Sequence, residues 1–117
     1  MEKTKALTAL AALSHGARLD LVRLLVPCGA TGLAAGDIGR ALGLPASGLS
    51  FHLATLEQAG LIRSRKQARN VIYSLDARGL GQTIAYLLND CCCASPEILA
   101  CCASPIGADP AAAVSVA

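Results

Sequence analysis

The stretch GDIGRALGLPASGLSFHLATLEQAGLI (36–62) decides how the rest of the chain is read. It holds two helical patterns, AAGDIGRAL (34–42) and PASGLSFHLATLEQAG (45–60), with Gly43 as the turn between them. In the second, Pro45 suits a helix start, Leu49, Leu53 and Leu56 share one face, and Gly60 suits the C-terminal cap. The opposite face shows Ser47, Ser50, Phe51 and Ala54, with His52 at its flank. It is small and polar, carries an aromatic ring that the core leaves over, and is free for a partner.

Working outward from that pair, the period changes at Gly60 from helical to alternating. Leu61 to Arg65 and Asn70 to Leu75 have β character, Val71, Tyr73 and Leu75 fall on one side, and KQAR between them is a polar turn. Arg63, Arg65, Lys66 and Arg69 stand here with no acid among them, so this is a β-hairpin with a basic tip. Upstream, TKALTALAAL (4–13) places Ala6, Leu7, Leu10 and Leu13 at helical spacing, and ARLDLVRLLV (17–26) repeats the period before Pro27-Cys28-Gly29 closes it. Cys28 reads as a small buried apolar residue. Downstream, Leu80, Ile84, Leu87 and Leu88 mark a last helix over about 79–90, which serves as core, as a dimer seam, or both. The tail IGADPAAAVSVA (106–117) has no usable period and is expected to be mobile.

Composition sets the bounds. A chain of 117 residues fits one domain with its own core. The hydrophobic share is 54% but the aromatic share only 3%, so Leu, Ile, Val and Ala must fill that core, which favours helices. No charge-free run of about 18 residues exists and no leader with a cleavage site follows the start, which predicts a soluble cytoplasmic protein without a membrane partner. A net charge of +2 does not by itself announce a nucleic-acid binder; its clustering on the hairpin does.

Two helices, a free polar face and a basic hairpin in this order predict a mainly α fold with a β-hairpin wing, a winged helix-turn-helix. LSHGARLDLVRLLV, GDIGRALGLPASGLSFHLATLEQAGLI and SRKQARNVIYSL together resemble the ArsR/SmtB family of metal-responsive repressors over roughly residues 7–90. The resemblance implies a homodimer with the first and last helices at its axis, bound to double-stranded operator DNA. It implies a groove-facing set of Ser47, Gly48, Ser50, Phe51 and His52, with Arg65, Lys66 and Arg69 on phosphates, since flexible cations neutralise phosphate without reading sequence. Phe51 stands where many relatives carry a basic side chain, which leaves thymine methyls or backbone as its contacts. Residues 1–90 form the DNA-binding and dimerisation domain in this reading, and 91–117 a cysteine-rich sensing segment.

That segment contains NDCCCASPEILACC (89–102), with five of the chain's six cysteines, and CCASP (92–96) recurs as CCASP (101–105). In a reducing compartment such a cluster is a ligand set or a redox sensor rather than a disulfide framework. A cysteine hydrolase or reductase would need a base beside its nucleophile, but His15 and His52 lie elsewhere and no C-x-x-C occurs, so no enzyme is expected. Relatives that bind metal on the first helix of the DNA-binding unit use a cysteine pair where this chain has Ala34 and Gly36, and those that bind zinc or cobalt on the last helix use histidine, absent there. Thiol-only sites select soft ions and metalloids, and the resemblance to members with vicinal cysteines past the last helix implies a sensor of trivalent arsenic or antimony. No obligatory cofactor is implied, only that inducer. Cys101 and Cys102 form the most adaptable pair, with Cys91 or Cys92 as a third thiol. Redox sensing, and sensing of zinc, cadmium or lead by four gathered thiolates, stay open beside it.

Overall fold

The computed structural model describes residues 1–103; the tail 106–117, expected to be mobile, lies outside the described residues. The chain divides into two compact units, Met1–Thr83 and a second that begins at Ile84.

In the first unit, α1 (Lys3–Leu13) and α2 (Gly16–Leu25) precede a 3₁₀ segment, Val26–Thr31, kinked at Gly29 (φ +57°, ψ −146°), and a two-residue strand β1 (Leu33–Ala34). The helix pair follows as α3 (Ala35–Leu42) and α4 (Ala46–Gln58), then β2 (Ile62–Gln67), β3 (Asn70–Leu75) and α5 (Ala77–Ala85). The sheet is antiparallel in the order β1-β3-β2, with Leu33 opposite Tyr73 and Arg65 opposite Ile72. Leu21, Leu25, Ile38, Leu49, Leu53, Leu56, Leu61 and Ile62 form the core, so the leucine stripe of α4 is the buried one.

Glycines fix the helix ends. Gly43 has φ +66° and Gly60 φ +77°, the left-handed region that glycine tolerates. Beyond them, Leu44 N–H donates to the Gly39 carbonyl and Leu61 N–H to the Leu56 carbonyl, the six-to-one bond that closes a Schellman cap. Pro45 is the residue flanking α4 rather than its first helical position.

Other expectations shift. The core face of α1 is Ala6, Ala9 and Ala12, while Leu7 is 55% exposed. Small side chains let that helix lie close to its neighbours, and the leucine faces out. The polar turn KQAR shortens to Ala68–Arg69, with Ala68 at φ +57°, and Gln67 and Asn70 pair in the ladder. Val71 is exposed although Tyr73 and Leu75 pack on the core. Cys28 is half-buried rather than buried, and its thiol donates to the Leu24 carbonyl at 3.4 Å.

In the second unit the last helix does not run on regularly to Asp90. A π-helical turn spans Tyr86–Cys91, Cys92 N–H donates to the Leu87 carbonyl, and Ala94 N–H reaches the Leu88 carbonyl at 2.7 Å. Cys93 and Ala94 both have φ +53°, so this left-handed pair folds back to satisfy carbonyls that a helix end leaves open. Helix α6 (Pro96–Ala103) follows, with Pro96 and Glu97 in its first turn.

Candidate DNA interface and thiol segment

On α4, Ser47, Ser50 and Phe51 are exposed, Phe51 at 65%, and Gly48 is half-buried between them. The helix shows this face because Leu49, Leu53 and Leu56 claim the other one. An exposed phenyl beside two hydroxyls can offer apolar contact and hydrogen bonds to a groove at once.

His52 is not on that open face. It is half-buried, its Nδ1 lies 3.2 Å from Arg18 Nη1, and its ring centroid lies 4.7 Å from that of His15. Position 52 borders the leucine stripe, which turns the imidazole toward α2 instead of outward. Arg18 joins three elements, since its Nε also donates to the Ala12 carbonyl at 2.5 Å, while His15 Nδ1 accepts from Ala17 N–H and caps α2. The sequence reading missed Arg18, which lies 34 positions from His52 with no pattern linking them.

Partial burial, then the His15 and Arg18 charges, hold His52 below the usual histidine pKa. The folded state therefore keeps this imidazole neutral to a lower pH than the unfolded chain, which takes up a proton near about pH 6.5. Its contribution is complete above that value and is lost as pH falls through the folded midpoint. Thermal melts from about pH 8 to about pH 5 should show a larger acid loss for the wild type than for His52→Gln, which keeps an acceptor and cannot titrate. Equal losses would remove this role from His52.

The wing is held from both sides. Ser64 Oγ donates to Glu57 Oε2 of α4 at 2.5 Å, while Arg65 Nη1 and Nη2 donate to the Ala30 and Thr31 carbonyls at 3.0 and 2.8 Å. Arg65 is therefore not a free cation, although it stays exposed. The side chains of Lys66 and Arg69 are exposed and make no hydrogen bond or ion pair among the described residues. Arg63 lines a depression of about 420 Å³ beside Ala30 and Arg65.

In the second unit, Cys91, Cys93, Cys101 and Cys102 are exposed and Cys92 is half-buried. Partial burial, a hydrogen bond with Cys91 and the neighbouring Cys91, Cys93 and Cys102 push the Cys92 thiol above its usual pKa. Among the described residues no group of three or more potential ligands is already gathered as a metal site.

A short helix, a glycine turn, a helix with an open polar face and a basic wing define the class: a winged helix-turn-helix DNA-binding protein. A family model described as a helix-turn-helix domain matches residues 13–65. The chain is 38% identical over 88 residues to the HTH-type transcriptional regulator YgaV of Escherichia coli K12, covering 75% of this chain and 87% of that protein. It is 37% identical over 79 residues to the transcriptional activator HlyU of Vibrio cholerae, covering 66% and 70%. The HlyU structure superposes with a TM-score of 0.62 at 34% identity, over 79% of this chain and 99% of that one, and a structure of reduced HlyU gives 0.58 at 32%, over 77% and 90%. An ArsR-like transcriptional regulator from Rhodococcus sp. RHA1 shares the fold with a TM-score of 0.68 at 23% identity, over 83% and 89%. The chain belongs to the ArsR family of winged helix-turn-helix transcriptional regulators and is a DNA-binding regulator. Among the described residues no helix is long and apolar enough to cross a membrane.

Proposed function

We propose that the protein is a homodimeric repressor that leaves its operator when a trivalent arsenical or antimonial binds thiols of Cys91, Cys92, Cys101 and Cys102. The observation that carries this reading is the thiol segment itself. Five cysteines without a histidine, four of them exposed, flank or form a left-handed turn. Arsenite condenses with three thiols to give three As–S bonds and three waters, with no change of oxidation state. Zinc prefers four ligands in a tetrahedron, commonly with imidazole among them. Because no ligand group is preformed among the described residues, the inducer would draw the thiols together, and the π-helical turn with its left-handed pair is the part of the backbone that can yield.

On the DNA side, Ser47, Gly48, Ser50 and Phe51 would face base edges, and Lys66 and Arg69 phosphates. Leu7 on α1 and Ile84, 49% exposed, are apolar side chains that a second copy could cover. Repression is part of the proposal, since HlyU is named as an activator.

A thiol redox switch is the second reading, favoured by the likeness to a protein solved in a form named as reduced. A screen read by release of DNA separates the two. Arsenite, antimonite and methylarsenite should release the DNA far below the concentrations of zinc or cobalt that do so, with reductant present throughout. Release by peroxide alone, with no response to arsenite, would move the redox reading ahead.

A further inference from the structure

We infer that Arg65 is a positioning residue, a brace that sets the angle of the wing on the helix-turn-helix, and is not one of its phosphate contacts. The inference rests on the DNA-binding reading only for what the wing does, not for the brace itself. Successive strand residues point to opposite faces, and Ser64 and Arg65 use both: Ser64 holds α4 through Glu57, and Arg65 holds the Val26–Thr31 segment. β2 is an edge strand of the β1-β3-β2 order, and Val26–Thr31 leads into β1 at the other edge.

Its partners are the last two carbonyls of a 3₁₀ segment, groups that a helix end leaves without intrahelical donors. A planar guanidinium can span two successive oxygens with two nitrogens at 3.0 and 2.8 Å, which a lysine ammonium cannot match. The anchor is itself fixed. Gly32, at φ +67°, follows the segment so close to β3 that a Cβ there would come within 2.3 Å of the Tyr73 carbonyl oxygen. Each terminal nitrogen of Arg65 thus has one N–H committed inside the protein, whereas the side chains of the next cations along the hairpin, Lys66 and Arg69, remain open.

Charge and brace separate in a salt titration. Each phosphate contact adds about 0.9 to the slope of log affinity against log salt on duplex DNA. On duplex DNA from the region upstream of its own gene, Lys66→Gln should bind more weakly with a slope lower by about 0.9. Arg65→Gln and Arg65→Lys should both bind several-fold more weakly with the wild-type slope, because lysine keeps the charge but not the fork. Arg65→Lys binding like the wild type, or Arg65→Gln losing slope as Lys66→Gln does, would overturn the brace. Should the variants fail to fold, nitrogen-15 spectra of the wild-type chain decide. Arg65 Nη signals should show hindered rotation without DNA and stay in place when DNA is added; freely averaging signals, or a shift on addition, would assign Arg65 to phosphate. If neither the wild type nor Lys66→Gln binds any duplex at low salt, the DNA-binding reading fails, and the DNA-free Nη spectrum still tests the brace.

Discussion

Replacing Cys101 and Cys102 together by Ser should abolish induction and leave the affinity for DNA unchanged. The thiols lie in the unit that begins at Ile84, while the open face of α4 and the wing belong to the other unit. For an inducer to release DNA it must bind the low-affinity conformation better, and such couplings are typically about 1–3 kcal/mol, or about 5- to 150-fold in affinity. Ser presents an alcohol where arsenic needs sulfur, so the entire coupling should vanish rather than shrink. Anisotropy titrations of both proteins, with and without arsenite, check this, and Cys28→Ser, at a thiol that donates to the Leu24 carbonyl, should behave as the wild type. Methylarsenite forms only two bonds to sulfur. It should still induce after Cys91 and Cys92 are replaced, where arsenite fails. Full induction of the Cys101 and Cys102 double variant by every arsenical would sink the proposed site.

The helix pair was legible because its determinants are local: three leucines at helical spacing and two glycines at positions that proved left-handed, Gly43 and Gly60. The hairpin was legible for the same reason, with its turn drawn two residues too wide. What sequence could not show depends on contacts without a pattern. β1 is two residues long and exists only by pairing with Ile72 and Tyr73. His52 was placed at the flank of the open face and in the groove-facing set, while Arg18, 34 positions away, supplies a partner for its ring. Arg65 counted as a free cation because its partners are backbone carbonyls, which every residue owns and no residue advertises. The π-helical turn was hidden likewise, since it is a hydrogen-bond register rather than a side-chain period. In each case residue type was read correctly and its engagement was not.

Gly79→Ala should destabilise the fold more than any other single methyl added to a glycine of α5. Gly79 sits in the first turn of α5, where its N–H donates to the Asp76 carboxylate at 3.1 Å, the helix N-cap bond, and Asp76 N–H in turn donates to the Leu61 carbonyl. That anchoring presses the helix onto the end of α4: a Cβ on Gly79 would stand 1.8 Å from the Gly60 carbonyl oxygen and 3.0 Å from its carbon. Both obstructing atoms are backbone, so no rotamer can relieve the overlap, and either α5 or the cap after α4 must move. Overpacking of this kind costs about 1–3 kcal/mol or more. It outweighs the gain of up to about 1 kcal/mol that Ala brings to a helix interior. Gly81, with nothing within 4 Å of its Cβ position, isolates that gain. Gly81→Ala should therefore melt at or above the wild type, and Gly79→Ala below it by about 4–8 °C for each kcal/mol lost. Because Gly60 closes the helix that presents Ser47, Ser50 and Phe51, displacement there should also weaken DNA binding in whatever fraction remains folded. A Gly79→Ala protein that melted with Gly81→Ala would show that α5 does not rest on the Gly60 turn.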